Sequence, residues 1–394
     1  MSSRKKKKGS APFSIHNRVE LIHGGREYFE RLNQLIEGAK ESIHLQTYIL
    51  SEDETGIKVA ESLIRAAGRK VQVNLVVDGY ASQALSSGFI SKLEAAGILF
   101  RFFEPIWRTK YYYFGRRLHH KVAVFDGRFA LVGGINVSNN YNQFPGVNPW
   151  FDFALFAEGE VAIELCVLCW KTWYGFSPGM AQTPCEDKQI FFDIEPSERS
   201  AVRMRRNDWV RSKNEISKSY LEIFRHAKSQ ITIVSSYFLP GDEFKRRMRA
   251  AIRRGVRIKL VVTRSSDVYI AKQAERHMYR WLLKNRMEIY EYKPAVLHAK
   301  LAICDEEWMT IGSYNVNNIS AFASIELNLD VKNKTFVSSV REMVEAIIER
   351  DCERVTESDF ASHNGFFSRI WQEVCFICVR ILFFLFTFYF SQKE

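Results

Sequence analysis

Two stretches of the chain carry the same reactive side-chain types at the same spacing. The first reads His119-His120-Lys121-Val122-Ala123-Val124-Phe125-Asp126 and leads to Gly133-Gly134-Ile135-Asn136. The second reads His298-Ala299-Lys300-Leu301-Ala302-Ile303-Cys304-Asp305 and leads to Gly312-Ser313-Tyr314-Asn315. Each is His-x-Lys-x4-Asp, then, after six residues, Gly-[Gly/Ser]-x-Asn. Imidazoles attack phosphorus or protonate leaving oxygens, ammoniums neutralise phosphoryl oxygens, and amides add neutral donors. Two of each suit a phosphoryl group. A lone histidine is more often a satisfied core group. Two matched sets argue against that, because by average residue usage even one copy arises by chance in roughly a few per cent of chains this long.

Those side chains need strands to aim them. Alternate residues of a strand face the same way, so His119 pairs with Lys121 and His298 with Lys300, while His120 points to the other face. The apolar residues between Lys and Asp suit a buried strand, and the glycines allow close backbone approach. His16, His23, His44, His226, His277 and His363 have no comparable company.

Around the motifs the pattern is α/β. Residues 26–40 read as a helix, Ile43 to Leu50 as a strand, 56–67 as a helix and Val71 to Val77 as a buried strand. The order returns with a helix over 214–228, a strand from Ile231 to Leu239, a helix over 242–254 and a strand from Val256 to Val262. Local text echoes too: AKESIHLQTYIL against AKSQITIVSSYFL, and GRKVQVNLVV against GVRIKLVV. Strand-helix-strand order implies parallel pairing. The repeat, near 180 residues, implies two pseudo-symmetric α/β halves sharing one active site, not a solenoid. The expected division is a basic tail (1–15), a first half (16–182), a linker (183–212), a second half (213–350) and a C-terminal extension (351–394).

The 394 residues, 46 % of them hydrophobic, can bury a sizeable core, and the net charge of +11 points to an anionic partner, nucleic acid or membrane. No apolar signal region follows Met1, so the seven cysteines are expected to stay reduced in a cytosol, without disulfides. Cys166/Cys169 and Cys375/Cys378 have CxxC spacing but lie in apolar helical runs, which favours packed or lipid-facing thiols over metal ligands. Arg4 to Lys8 is either a solvated tail or a tether to anionic lipid.

The paired motifs, over about residues 18–345, resemble the phospholipase D superfamily. Gly-Gly followed by Gly-Ser, LVVDGYAS at 75–82, and the aromatic-basic run WRTKYYYFGRR at 107–117 resemble the shorter, B-type bacterial cardiolipin synthases. The resemblance implies a catalytic set of His119, Lys121, Asp126, His298, Lys300 and Asp305. His119 would form a covalent phosphohistidine. His298 would protonate the leaving alcohol and deprotonate the incoming one. Lys121, Lys300, Asn136 and Asn315 would hold phosphoryl oxygens, while Asp126 and Asp305 fix the motif's own structure. Asp152 and Glu326 match the acidic residues that orient the opposite histidine. No metal or other cofactor is implied.

The motif alone does not choose among nucleases, lipid hydrolases and phosphatidyltransferases, and a lipid-binding scaffold with a decayed site is the non-enzymatic rival. WRTKYYYFGRR suits single-stranded nucleic acid or an anionic interface equally. The C-terminus favours lipid. The apolar run 374–390 would be about 25 Å long as a helix, short of a comfortable span, and it contains Arg380. Arg369, Glu373, Arg380 and Thr387 fall on one narrow stripe at about 100° per residue. This describes a deeply seated interfacial helix, ahead of a short spanning helix or a packed core helix. The expected partners are therefore an anionic phospholipid membrane and phosphatidylglycerol, without nucleic acid. The expected location is peripheral or monotopic, on the cytoplasmic face of the inner membrane. The expected reaction joins two phosphatidylglycerols into cardiolipin and releases glycerol. Oligomeric state is left open.

Overall fold

The computed structural model describes residues 12–104, 116–176, 183–185, 192–211, 213–317, 324–362 and 365–391, with helical backbone alone over 382–391. The elements of the first half are β1 (Ser14–His23), α1 (Arg26–Gly38), β2 (Ser42–Thr47), α2 (Glu54–Gly68), β3 (Gln72–Asp78), α3 (Ser87–Ala95), β4 (Leu99–Phe103), β5 (Arg117–Leu118), β6 (Lys121–Phe125), β7 (Phe129–Gly133), β8 (Phe153–Gly159) and α4 (Glu160–Trp173). The second half follows with β9 (Ser200–Asp208), β10 (Lys213–Asn214), α5 (Glu215–His226), β11 (Gln230–Val234), α6 (Asp242–Arg253), β12 (Arg257–Thr263), α7 (Tyr269–Lys284), β13 (Glu288–Tyr292), β14 (Leu301–Cys304), β15 (Trp308–Gly312), β16 (Ser324–Lys332) and a helix Lys334–Asp351. The α/β periods read from the sequence therefore hold, with ends shifted by a few residues.

Local chemistry sets the boundaries. The Asp53 side chain accepts from Gly56 N at 3.0 Å to start α2, and Ser86 accepts from Phe89 N at 3.1 Å to start α3. The apolar stripe Tyr28, Phe29, Leu32, Ile36 fixes which side of α1 is buried.

Strand pairings give one mixed sheet in the order β4-β3-β2-β6-β7-β8-β1-β9-β16-β15-β14-β11-β12-β13, with a further strand, Cys352–Val355, antiparallel outside β13 and with β10 paired to the end of β9. From β4 to β13 the order is palindromic about β1 and β9, as a duplicated chain folding onto its own copy requires, and the added edge strand belongs to the second half alone among the described residues. Within each half three strands are parallel and the motif strand runs antiparallel beside them. Helices α1 to α3 and α5 to α7 each cover one sheet face with a separate core. Helix α4 and the helix Lys334–Asp351 share a third core drawn from both halves, so the two motifs meet over common packing.

Three expectations are amended. The stretch 183–212, read as a linker, contains β9 in the middle of the sheet. Arg203, Arg205 and Arg206 hid its alternation. Two of them are buried against Asp330, with Arg203 Nη2 at 2.7 Å and Arg205 Nε at 3.1 Å from its carboxylate. Second, Cys166 and Cys185 form a disulfide, contrary to the expectation of none. That expectation came from compartment and count, which do not register that Cys185 returns onto α4 with its Cα 6.1 Å from that of Cys166. Five cysteines are free, and Cys169, the other member of that CxxC pair, is a buried thiol. Third, the C-terminal helix (Phe366–Ser391) docks on α7 along Gln372, Cys375, Phe376 and Val379, while Phe366, Phe367, Ile370, Trp371, Val374 and Ile377 stay exposed. Among the described residues no helix is long and apolar enough to cross a membrane. The Arg4–Lys8 run and all of 107–117 except Arg116 and Arg117 lie outside the described residues.

Candidate active site

Backbone pairing between halves builds the site. Segment β5, just before the first motif, runs parallel to Ser324–Ile325 at the start of β16, and His119 N donates to Ile325 O at 3.0 Å. In the mirrored contact Phe151 bridges to Leu297, and His298 N donates to Phe151 O at 2.7 Å. The residues following the two borrowed segments are Glu326 and Asp152. Each therefore arrives under the imidazole of the opposite half: His119 Nδ1 lies 2.9 Å from Glu326 Oε2, and His298 Nδ1 lies 2.7 Å from Asp152 Oδ2. Two further side chains repeat the symmetry. Leu118 N donates to Asp78 Oδ2 at 2.8 Å, and Leu297 N donates to Thr263 Oγ1 at 3.1 Å, fixing each approach.

Both lysines fold back beside their histidines. Lys121 Nζ donates to His119 O at 2.6 Å, and Lys300 Nζ donates to His298 O. Their remaining surroundings differ. Lys300 also donates to Ser236 Oγ at 3.0 Å, whereas Lys121 sits 5.1 Å from the centre of the Tyr48 ring. Asn136 is held twice, accepting from Ile49 N at 3.1 Å and donating to Tyr141 OH at 2.9 Å. Asn315 is buried, and its amide oxygen has no hydrogen-bond partner among the described residues.

Asp126 and Asp305 do not face this group. Each sits in a turn at positive φ and accepts backbone N–H groups ahead of the parallel strand: Lys40, Glu41 and Ser42 for Asp126, and Lys228, Ser229 and Gln230 for Asp305. They clamp the motif hairpin to its neighbour, the structural part of the expectation. His120 points away and meets Gln46 Oε1 at 2.8 Å. Among the described residues no group of three or more His, Cys, Asp or Glu is arranged to hold a metal.

The profile of the family described as "Cardiolipin synthase, PLD-like domain" matches residues 32–144 and 220–348, so it covers both motifs and most of both halves. The chain belongs to this family. It is 34 % identical over 347 residues to "Cardiolipin synthase B" of Salmonella typhi, covering 87 % of this chain and 83 % of that one. "Cardiolipin synthase B" of Escherichia coli (strain K12) is 31 % identical over the same shares. "Cardiolipin synthase 1" of Bacillus anthracis is 30 % identical over 360 residues, covering 89 % and 69 %. Among solved structures, phosphatidylserine synthase of Haemophilus influenzae Rd KW20 superposes with a TM-score of 0.73 at 14 % identity, over 95 % of this chain and 96 % of that one. At that identity the match speaks for the fold alone.

The two half-sites of this cardiolipin-synthase-family chain are not electrostatically equivalent. The His298 side chain is 9 % exposed and packs against the touching rings of Tyr141 and Trp150, with ring centres at 5.2 and 5.8 Å; that of His119 is 17 % exposed. Burial, then Lys300, Lys121 and His119, hold the His298 imidazolium well below its usual range. Burial also lowers His119, opposed by Glu326. Burial pushes Asp152 up to about 7 against the pull of Lys300. It pushes Lys121 down to about 7 and Lys300 down to about 8. Buried, mutually repelling cations with unused donor capacity leave an anionic group as the natural complement.

Sequence reading missed Tyr48, Tyr141, Trp150, Ser236 and Thr263: Tyr48 and Ser236 fall at equivalent repeat positions, as do Asp78 and Thr263, but with unlike residue types, and Tyr141 and Trp150 reach the site only by packing on His298 of the other half. The Gly/Ser difference had been visible without a cause. A Cβ on Gly134 would run into the Asp152 carboxylate, whereas Ser313 Oγ donates to Glu326.

Proposed function

We propose that the chain makes cardiolipin by phosphatidyl transfer between two phosphatidylglycerols. Family membership makes it a phosphatidyltransferase of the phospholipase D superfamily and a membrane-associated enzyme of phospholipid synthesis. The observation that carries the mechanism is the crossed pair of carboxylate–imidazole contacts, each fixing Nδ1 so that Nε2 is left for chemistry.

His119 is the better nucleophile. It is the more accessible imidazole, and with Nδ1–H given to Glu326 its Nε2 lone pair is free. Attack on phosphorus forms the N–P bond and breaks the P–O bond to the glycerol head group. His298 supplies the proton to that oxygen. An Asp152 carboxyl donating to Nδ1, or a carboxylate accepting from it, leaves the same Nε2–H. Raising Asp152 to about 7 therefore keeps the acid loaded near neutrality. The neutralised His298 then takes the proton of the second phosphatidylglycerol hydroxyl, whose oxygen displaces His119 and completes cardiolipin. Lys121, Lys300 and the Asn315 amide hold the phosphoryl oxygens as charge builds. Asn136, already held twice, holds them with its second amide proton.

Enclosure of His298 by Tyr141 and Trp150 favours an alcohol over water as acceptor. Residence on the anionic cytoplasmic leaflet, peripheral or monotopic, suits the net charge of +11. The test is purified protein in detergent with labelled phosphatidylglycerol and chelator. Labelled cardiolipin with released glycerol is expected. Phosphatidic acid alone would make it a hydrolase, and cleavage of single-stranded DNA without lipid turnover would make it a nuclease.

A further inference from the structure

The C-terminal helix turns its apolar side outward. Gln372, Cys375, Phe376 and Val379 meet α7, and the opposite side, from Phe366 and Phe367 through Ile370, Trp371, Val374 and Ile377 to Ile381, faces solvent; Phe367 is 84 % and Trp371 47 % exposed. At about 100° per residue these apolar residues span roughly 140° of the circumference.

A basic seam borders this face. Arg369, Glu373 and Arg380 run along one edge of the docked stripe. Arg280 and Lys284 of α7 line the groove there with Arg369, Gln372 and Glu373. From α6, Lys245 lies 5.9 Å from the Phe376 ring centre and Arg249 lies 6.0 Å from that of Trp281. Arg280, Lys284 and Arg369 thus share the groove with Glu373 and Glu357, and Lys245, Arg249 and Arg380 extend the seam beyond it. Lys245 has its neighbour Asp242 4.0 Å away.

The helix also has a direction. Arg369 and Gln372 lie beside Lys284, and Phe376 stacks on His277 at 4.6 Å, so the helix runs antiparallel to α7. Equal rise then brings residues near 383 alongside Ile270 and carries the backbone to Ser391 about 12 Å further. The start of α7 is itself apolar and exposed at Val268, Tyr269 (61 %) and Ile270. It follows directly on Asp267, whose carboxylate accepts from Tyr237 and acts on Lys300 of the catalytic group.

The geometry points to a single bilayer-docking face, formed by the outer side of the C-terminal helix and the Val268–Ile270 rim. Its apolar residues enter the acyl boundary, the Arg/Lys seam sits at the level of anionic phospholipid head groups, and the catalytic group lies beside that rim. A greasy face edged by cations is the arrangement of an interfacial helix. A second copy seated symmetrically on the same face would bring its own seam against this one, cation to cation. The choice of anionic lipid rests on the phosphatidyl-transfer reading; the binding itself is measured separately.

The test is vesicle sedimentation of the full chain, using phosphatidylcholine with and without phosphatidylglycerol. Trp371→Glu/Ile377→Glu should weaken binding to both vesicles by about tenfold or more. Arg249→Glu/Lys284→Glu should weaken binding only to vesicles with phosphatidylglycerol and flatten its salt dependence. Turnover of detergent-dispersed phosphatidylglycerol should stay within about twofold of wild type for both variants, reporting an intact site. Should either variant misfold, an environment-sensitive dye on exposed Cys378 of the unsubstituted chain should shift to the blue on adding vesicles. Wild-type binding by both variants, an unshifted dye, or a wild-type dimer that the Trp371/Ile377 variant dissociates would overturn the proposal. Normal binding shifts with no lipid turnover would sink the transfer reading and leave the docking face standing.

Discussion

Glu326 hydrogen-bonds His119 at 2.9 Å although 207 residues separate them and they belong to opposite halves. Asp152 does the same for His298 at 2.7 Å. Neither half holds a complete acid–base unit, so the duplication is functional only as a pair.

The carboxylates should matter through the imidazoles they orient. Glu326→Gln and Asp152→Asn keep shape but replace the titratable carboxylate by a neutral amide that neither stabilises the imidazolium nor fixes the tautomer. We expect kcat to fall by about 10²–10⁴-fold with little change in KM and no loss of fold by circular dichroism. A comparable loss appearing in KM alone would assign the two residues to substrate binding.

The sequence-equivalent positions Gly134 and Ser313 should not be interchangeable. Gly134→Ser places a side chain where the Asp152 carboxylate lies, so kcat should drop by about 10²-fold or more. Ser313→Gly removes one donor from Glu326 and should cost about tenfold or less. Steady-state kinetics on the two variants settles the order.

The lysines should make the site unstable in a pH-dependent way. Their folded pKa values, about 7 for Lys121 and about 8 for Lys300, lie below the ordinary 10.5. Between those values and about 10.5 the unfolded chain binds more protons, so their contribution to stability rises with pH across that window. Lys121→Met/Lys300→Met should therefore be inactive yet melt about 2–6 °C higher at pH 7. The advantage should shrink towards pH 10, as differential scanning fluorimetry would show. In the wild type, kcat/KM should fall as pH rises past 7 to 8, where the free enzyme loses these charges.

Asp305 should behave as a structural clamp. Burial alone would raise its carboxyl, but donors from Gln230, Lys228 and Ser229 outweigh that and hold it below the ordinary range. A lowered pKa gives stability that is present above about 3.9 and lost as pH falls through the folded value. Asp305→Ala should cost about 1–3 kcal/mol in urea unfolding at pH 7, and little by pH 2. KM should be unchanged, whereas a rise would show that the carboxylate touches lipid.

Much of this was legible because the repeat wrote it twice. His119 with Lys121 and His298 with Lys300 could be placed by strand alternation, and apolar runs such as VQVNLVV and VRIKLVV announced β3 and β12. β9 was not legible, since burying Arg203 and Arg205 depends on Asp330, more than 120 residues away. Tyr141 and Trp150 were hidden for a related reason. They act on the histidine of the other half, and local patterning carries no trace of such a contact. The disulfide likewise joins a helix to a segment whose return path only tertiary packing defines. The narrow polar stripe of the C-terminal helix was visible, but not that α7 takes the adjoining Gln372–Val379 side and leaves the apolar side outward.

The crossed site with His119 as the covalent carrier is most directly tested by trapping. The protein is quenched during turnover of phosphatidylglycerol bearing a good leaving group, and the labelled peptide is mapped by mass spectrometry. The label should lie on His119, persist in His298→Ala and vanish in His119→Ala. A label on His298, lost in His298→Ala and kept in His119→Ala, would contradict the assignment.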